Sequence, residues 1–79
     1  MKPEKVFRFG SISARIFLNE VEQNGTTRSF RNVKLQRAYR EGEEWKTSSS
    51  FTLTDLPLAM AALQRAADYV ADKEAEVDV

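Results

Sequence analysis

The first two-thirds of the chain alternates between apolar and polar residues, and the last third does not. From Ser11 to Asn19, Ile12, Ala14, Ile16 and Leu18 fall on one parity, and Ser11, Ser13, Arg15, Phe17 and Asn19 on the other. A period of two predicts a β-strand with one buried face. Val6-Phe7-Arg8-Phe9 predicts a short strand before it, with Gly10 allowing a turn or bulge. A third strand is predicted over Phe30 to Arg40, with Val33, Leu35 and Tyr39 on one face and Lys34, Gln36 and Arg40 on the other. A fourth is predicted over Trp45 to Leu53. There Trp45, Phe51 and Leu53 share a parity, and Lys46, Ser48 and Ser50 take the opposite one.

The turns separate these runs. Asn24-Gly25 is a strong hairpin signal, because both residues tolerate positive φ. The polar stretch from Glu22 to Arg28 reads as a flexible loop around it, and Glu41-Gly42-Glu43 makes the next turn. At Thr54-Asp55-Leu56-Pro57 the period changes. Thr54 or Asp55 can cap free N–H groups, and a proline in the first helical turn loses nothing. The helix is predicted to run to about Asp72, with Leu56, Ala59, Leu63, Ala66 and Val70 as its sheet-facing stripe. Residues 73–79 are acidic and expected to fray. The expected fold is therefore α+β: a four-stranded antiparallel sheet followed by one C-terminal amphipathic helix, in a single domain over residues 1–72.

At 79 residues the chain has little core to bury. A domain of this size hides only about 60% of its unfolded surface. With no cysteine and no histidine, neither a disulfide nor a histidine-held zinc can staple it. A homodimer would relieve the shortage and is expected. The segment Met1–Lys5 leads into a short alternating run, which does not read as a secretory signal. No run of about 18 apolar residues is present for a membrane span. A cytoplasmic setting without membrane contact is expected, in accord with the absence of cysteine.

The same absences bear on chemistry. The commonest general base and the best intrinsic nucleophile are both missing. Ser48, Ser49 and Ser50 have no evident base beside them and read as a polar strand face. The cluster Glu41, Glu43 and Glu44 reads as a solvated turn, not as a hydrolase or divalent-metal site. Three scattered glycines make no phosphate-cradling loop. No enzyme activity, cofactor, metal or small-molecule substrate is expected.

Charge offers more. The net charge is zero and the sequence pI about 6.2, which taken alone argues against nucleic acid. However, residues 1–46 hold ten basic against six acidic residues, and residues 47–79 two against six. Such polarity hints at an anionic partner for the basic part. Arg15 and Phe17 share a strand face, as do Lys34, Gln36 and Arg40, and then Lys46, Ser48 and Ser50. On adjacent strands these would form one surface of cations, hydrogen-bonding groups and an exposed ring. Single-stranded nucleic acid needs that mixture, for cations neutralise phosphates and rings stack on unpaired bases. A duplex has less to hold, because no basic helix is available for its major groove. The alternative is an ordinary wet sheet face, with Phe17 packed in a dimer interface or under the 21–29 loop.

Several stretches resemble the positive cofactor four family of single-stranded-DNA-binding coactivators, whose architecture is similar to that of the Whirly proteins. Phe7-Arg8-Phe9-Gly10 resembles the family's first strand, and Ile12 to Phe17 its second, where an arginine and an aromatic two residues later face the DNA. Val33 to Tyr39 resembles the third, which ends in a base-stacking aromatic, and Phe51 to Thr54 the approach to the helix. Gln36 and Ser49 stand near positions where the family tends to place basic residues. The resemblance implies Arg15, Phe17 and Tyr39 as DNA contacts, a dimer formed largely through the helices, and a role in transcription or DNA maintenance.

The expected function is largely sequence-independent binding of single-stranded DNA or RNA by a homodimer. Arg15, Lys34, Arg40 and Lys46 would hold phosphates, Gln36 would add hydrogen bonds, and Phe17, with Tyr39 or Trp45, would stack on bases. The alternative is a protein-interaction or assembly module with no nucleic-acid role, in which Phe17 and Trp45 are interface anchors. Whether Trp45 is core or surface stays open at this level.

Overall fold

The computed structural model describes residues 2–76. It contains β1 (Lys5–Phe9), β2 (Ile12–Gln23), β3 (Thr26–Glu41), β4 (Glu44–Ser48) and α1 (Leu56–Glu74). The strands form one antiparallel sheet in the order β1-β2-β3-β4, the expected α+β arrangement. The helix covers one face. No helix of the described residues is long and apolar enough to cross a membrane.

The hairpin between β2 and β3 is longer than the sequence suggests. Pairing runs without interruption from Ile12↔Arg37 to Gln23↔Thr26. Asn24 and Gly25 close it with φ of 53° and 76°, the conformation of a two-residue turn with two positive φ values. The stretch from Glu22 to Arg28 is therefore the tip of a paired arm, not a flexible loop. Both arm faces are exposed, so its side chains carry no apolar alternation, while the backbone ladder forms regardless.

The fourth strand is shorter than expected and ends at Ser48. Residues 49–55 leave the sheet and cross to the helix. Arg37 fastens this crossing: its Nε donates to the Ser50 carbonyl at 3.1 Å and lies 3.4 Å from Asp55 Oδ2. Asp55 occupies the N-cap position but makes no side-chain cap bond. Its carboxylate instead accepts from the Thr52 amide and hydroxyl, both at 2.9 Å. These two bonds, with the Arg37 charge, hold its pKa below the ordinary value.

The core is thin. Ile12, Ala14 and Ile16 of β2 meet Ala59, Ala62 and Ala66 of α1, bordered by Phe7, Phe9, Leu35, Phe51, Tyr69 and Val70. The buried helical stripe thus runs through Ala62, and Leu56 and Leu63 are exposed. Small side chains let the helix backbone sit close to the sheet, and the bulkier leucines are left on its flank. Gly10 turns β1 into β2 at φ 60°, where a Cβ would stand 3.4 Å from Leu58 Cδ1. The helix continues to Glu74 with Ala75 as its C-cap, past residue 73, where fraying was expected to begin. Residues 77–79 of that tail lie outside the described residues.

Glu4 ties the N-terminal segment to the far end of the helix. It accepts from Arg31 Nε and Nη2 at 2.7 and 2.8 Å, and from the Tyr69 hydroxyl at 3.0 Å. Chiefly through the Arg31 bonds, its pKa falls to about 2. Desolvation, with the Glu4 contact second, raises that of Tyr69.

The projecting arm and thin core leave much surface. The chain measures 49 × 23 × 15 Å and exposes 6212 Å². A compact monomer of 9.0 kDa is expected to expose about 4,900 Å². Its radius of gyration is 15.3 Å, against about 11.6 Å for a compact domain of this length.

Candidate nucleic-acid interface

The continuous registers decide which residues share a face, because side chains alternate along each strand. Phe9, Ile12, Arg37 and Ser48 form one cross-strand row on the helix side. On the opposite, open side stand Val6 and Arg8 from β1, and Ser13, Arg15, Phe17, Asn19 and Val21 from β2. Arg28, Phe30, Asn32, Lys34, Gln36, Ala38 and Arg40 come from β3, with Trp45 and Thr47 from β4.

Five cations occupy this open face (Arg8, Arg15, Arg28, Lys34 and Arg40), and no carboxylate from the four strands joins them. Glu20, Glu22, Glu41 and Glu44 all fall on the helix-side parity. Ion pairing divides the same way. The cations in ion pairs among the described residues are Arg31, Arg37, Lys46 and Lys73, none of them on the open face. A chain of zero net charge thus folds into an unneutralised basic surface.

Two of the three aromatic rings on that surface lie beside cations. Lys34 Nζ sits 5.8 Å from the Phe17 ring centroid, and the Arg40 guanidinium 5.6 Å from that of Trp45. Trp45 is 68% exposed and Phe30 48%. The Asn19 amide donates to Asn32 Oδ1 at 2.7 Å between Phe17 and Phe30. Counted along β3 at about 3.3 Å per residue, the span from Phe30 to the register position of Trp45 is about 33 Å.

Six of the eight residues singled out in the sequence meet on this face: Arg15, Phe17, Lys34, Gln36, Arg40 and Trp45. Tyr39 and Lys46 do not. They are register partners on the helix side, where the Arg37 guanidinium lies 5.4 Å from the Tyr39 ring and Lys46 Nζ lies 3.5 Å from Glu41. Lys46 touches the edge of the open face only because β4 is an edge strand. The reason is the turn. Glu41 pairs with Glu44 across two residues, which sets Trp45 beside Arg40 and gives Lys46 the other face. Trp45 is therefore surface, Phe51 lies beyond the strand, and Leu53 is 83% exposed.

No known protein family, curated protein or solved structure matches this chain.

Three cationic or aromatic residues of the face, Arg8, Arg28 and Phe30, were not singled out in the sequence. Arg8 was legible in the alternation of Phe7-Arg8-Phe9, on the parity opposite the two rings. Phe30 was legible as well, at the start of the predicted third strand on the parity of Lys34, Gln36 and Arg40, whereas Arg28 had no comparable signal because its segment reads as loop. Arg37, which shares the parity of Val33, Leu35 and Tyr39, holds the crossing at Ser50 and Asp55. Among the described residues, no group of acidic side chains is arranged to hold a metal ion.

Proposed function

We propose that this protein binds single-stranded DNA or RNA across the open face of its sheet, largely independently of sequence. The observation that carries this reading is the segregation of charge: five cations without a carboxylate among them, interleaved with Phe17, Phe30 and Trp45. Phosphates would lie along the cations, and unpaired bases would stack on the rings. A cytoplasmic role in transcription or DNA maintenance belongs to the same reading and accords with the resemblance drawn from the strand motifs. The test is fluorescence anisotropy of a labelled thymidine oligonucleotide at low and moderate salt, with duplex DNA as competitor. Binding that weakens linearly on a log–log salt plot and resists duplex competition supports the proposal. No binding at low salt would remove it.

A homodimer belongs to the same proposal. Leu56, Met60, Leu63 and Ala67 recur at helical spacing and are all exposed beside the buried alanine stripe, Met60 at 69%. The chain exposes roughly 1,300 Å² more than a compact monomer would, and a standard interface covers about 800 Å² on each partner. A second copy packed helix to helix would cover this strip and leave both open faces free. This same strip favours the assembly-module reading if oligonucleotides do not bind. Size-exclusion chromatography with light scattering decides the dimer: wild type at twice the chain mass and Met60→Glu as a monomer are expected, and a monomeric wild type refutes it.

A further inference from the structure

The open face is not uniformly flat. Near the β1–β2 turn the side chains shorten to Gly10, Ser13, Ala38 and Thr47, which leaves a depression of about 540 Å³. Arg8, Arg15, Gln36 and Trp45 stand around it. That volume lies within the roughly 300–1,000 Å³ usual for small-molecule sites.

Two polar groups in this depression are withdrawn from solvent. Ser13 is 6% exposed although no helix covers this side. Arg15 Nε is buried without an acceptor. Arg8 pairs with Ser13, and Arg15 with Val6 two residues away, so the two arginines are diagonal neighbours across adjacent strands. A buried donor without an acceptor is costly, and two arginines set diagonally with no carboxylate from the strands beside them are suited to hold an anion. On the far side stands Trp45, 68% exposed, with the Arg40 guanidinium beside its ring.

We infer that this depression is a pocket for one nucleotide, the phosphate lying between Arg8 and Arg15, the base against Trp45 and the base edge toward Ser13 and Gln36. The inference rests on the single-strand reading and sharpens it. Most of the face is a track that any backbone can follow, whereas this end holds a nucleoside monophosphate as a unit. The same chemistry belongs to a nucleotide within a strand and to a free mononucleotide. A guanidinium binds phosphate as a planar, two-pronged donor, and an indole stacks on any base.

The chain contains a single tryptophan, so its fluorescence reports on this pocket directly. Trp45 emission is to be titrated with thymidine 5′-monophosphate, thymidine, inorganic phosphate and a thymidine octanucleotide. The octanucleotide is followed in parallel by the anisotropy of an end label. Arg8→Ala removes half the phosphate site, and Ala38→Leu fills the floor. Both positions are on the open face, away from the helix-packed core, and circular dichroism checks their folding.

A saturable response to the monophosphate is expected, about tenfold or more weaker with thymidine and in Arg8→Ala, and lost in Ala38→Leu. A response to the octanucleotide with little to the free monophosphate would assign the pocket to a strand, and the reverse to the free nucleotide. Octanucleotide binding seen by anisotropy, with Trp45 unresponsive and Ala38→Leu without effect, would overturn the pocket and leave the broader reading standing. Failure of the octanucleotide to bind at all would overturn the broader reading, and a saturable monophosphate response would then uphold the pocket by itself.

Discussion

Replacing Lys34 and Lys46 separately by alanine tests whether the open face carries the electrostatics. Both are lysines of the sheet, and sequence alone assigns them the same role. In the fold Lys34 stands on the open face beside Phe17, while Lys46 pairs with Glu41 on the helix side. If the five open-face cations each neutralise one phosphate, the logarithm of affinity for a single strand should fall with the logarithm of salt at a slope of about −3.5. Raising salt from about 50 to 200 mM would then cost roughly a hundredfold in affinity. Lys34→Ala should reduce the slope to about −2.8 and weaken binding at low salt. Lys46→Ala should change the slope less, because its ammonium is already paired with Glu41. Anisotropy of a labelled thymidine oligonucleotide at four or five salt concentrations measures both. Equal effects of the two substitutions, or a slope indifferent to Lys34, would refute the division of the sheet into a binding and a non-binding face.

Phe30→Ala should weaken oligonucleotide binding by about 1–3 kcal/mol, the worth of one base stack, without altering the salt slope. An unchanged affinity would end the strand's path before the arm. Ile16→Ala, at a fully buried position, should cost about 2–5 kcal/mol. That is a large part of the roughly 4–12 kcal/mol available to a domain of this length, so the urea midpoint should fall substantially, and an unchanged midpoint would refute its place in the core. Glu4 is predicted to link stability to acid. Its folded pKa of about 2 lies below the ordinary 4.5, so its contribution is complete above about 4.5 and is lost as pH falls toward 2. Thermal melts of wild type and Glu4→Gln should therefore differ at neutral pH and converge near pH 2, and a constant difference would rule out the titration.

The sequence by itself determined the elements and the centre of the sheet. Alternation over Ser11–Asn19 fixed Ile12, Ala14 and Ile16 as buried and sent Arg15 and Phe17 outward, because parity within a strand is a local property. Asn24-Gly25 marked the hairpin, and Leu56-Pro57 stands at the helix start, for turn and cap preferences are local as well. Between strands, parity depends on register, which only the folded chain defines. The two-residue turn at Gly42-Glu43 decided that Trp45 takes the open face and Lys46 the helix-side parity, against the apolar pattern of that segment. Continuous pairing to Gln23↔Thr26 brought Arg28 onto the open face. Close approach of alanines to the sheet chose Ala62 over Leu63 for the core. The separation of five cations from every strand carboxylate is likewise invisible in a net charge of zero. It appears only when three registers place alternate residues of four strands on two sides of one sheet.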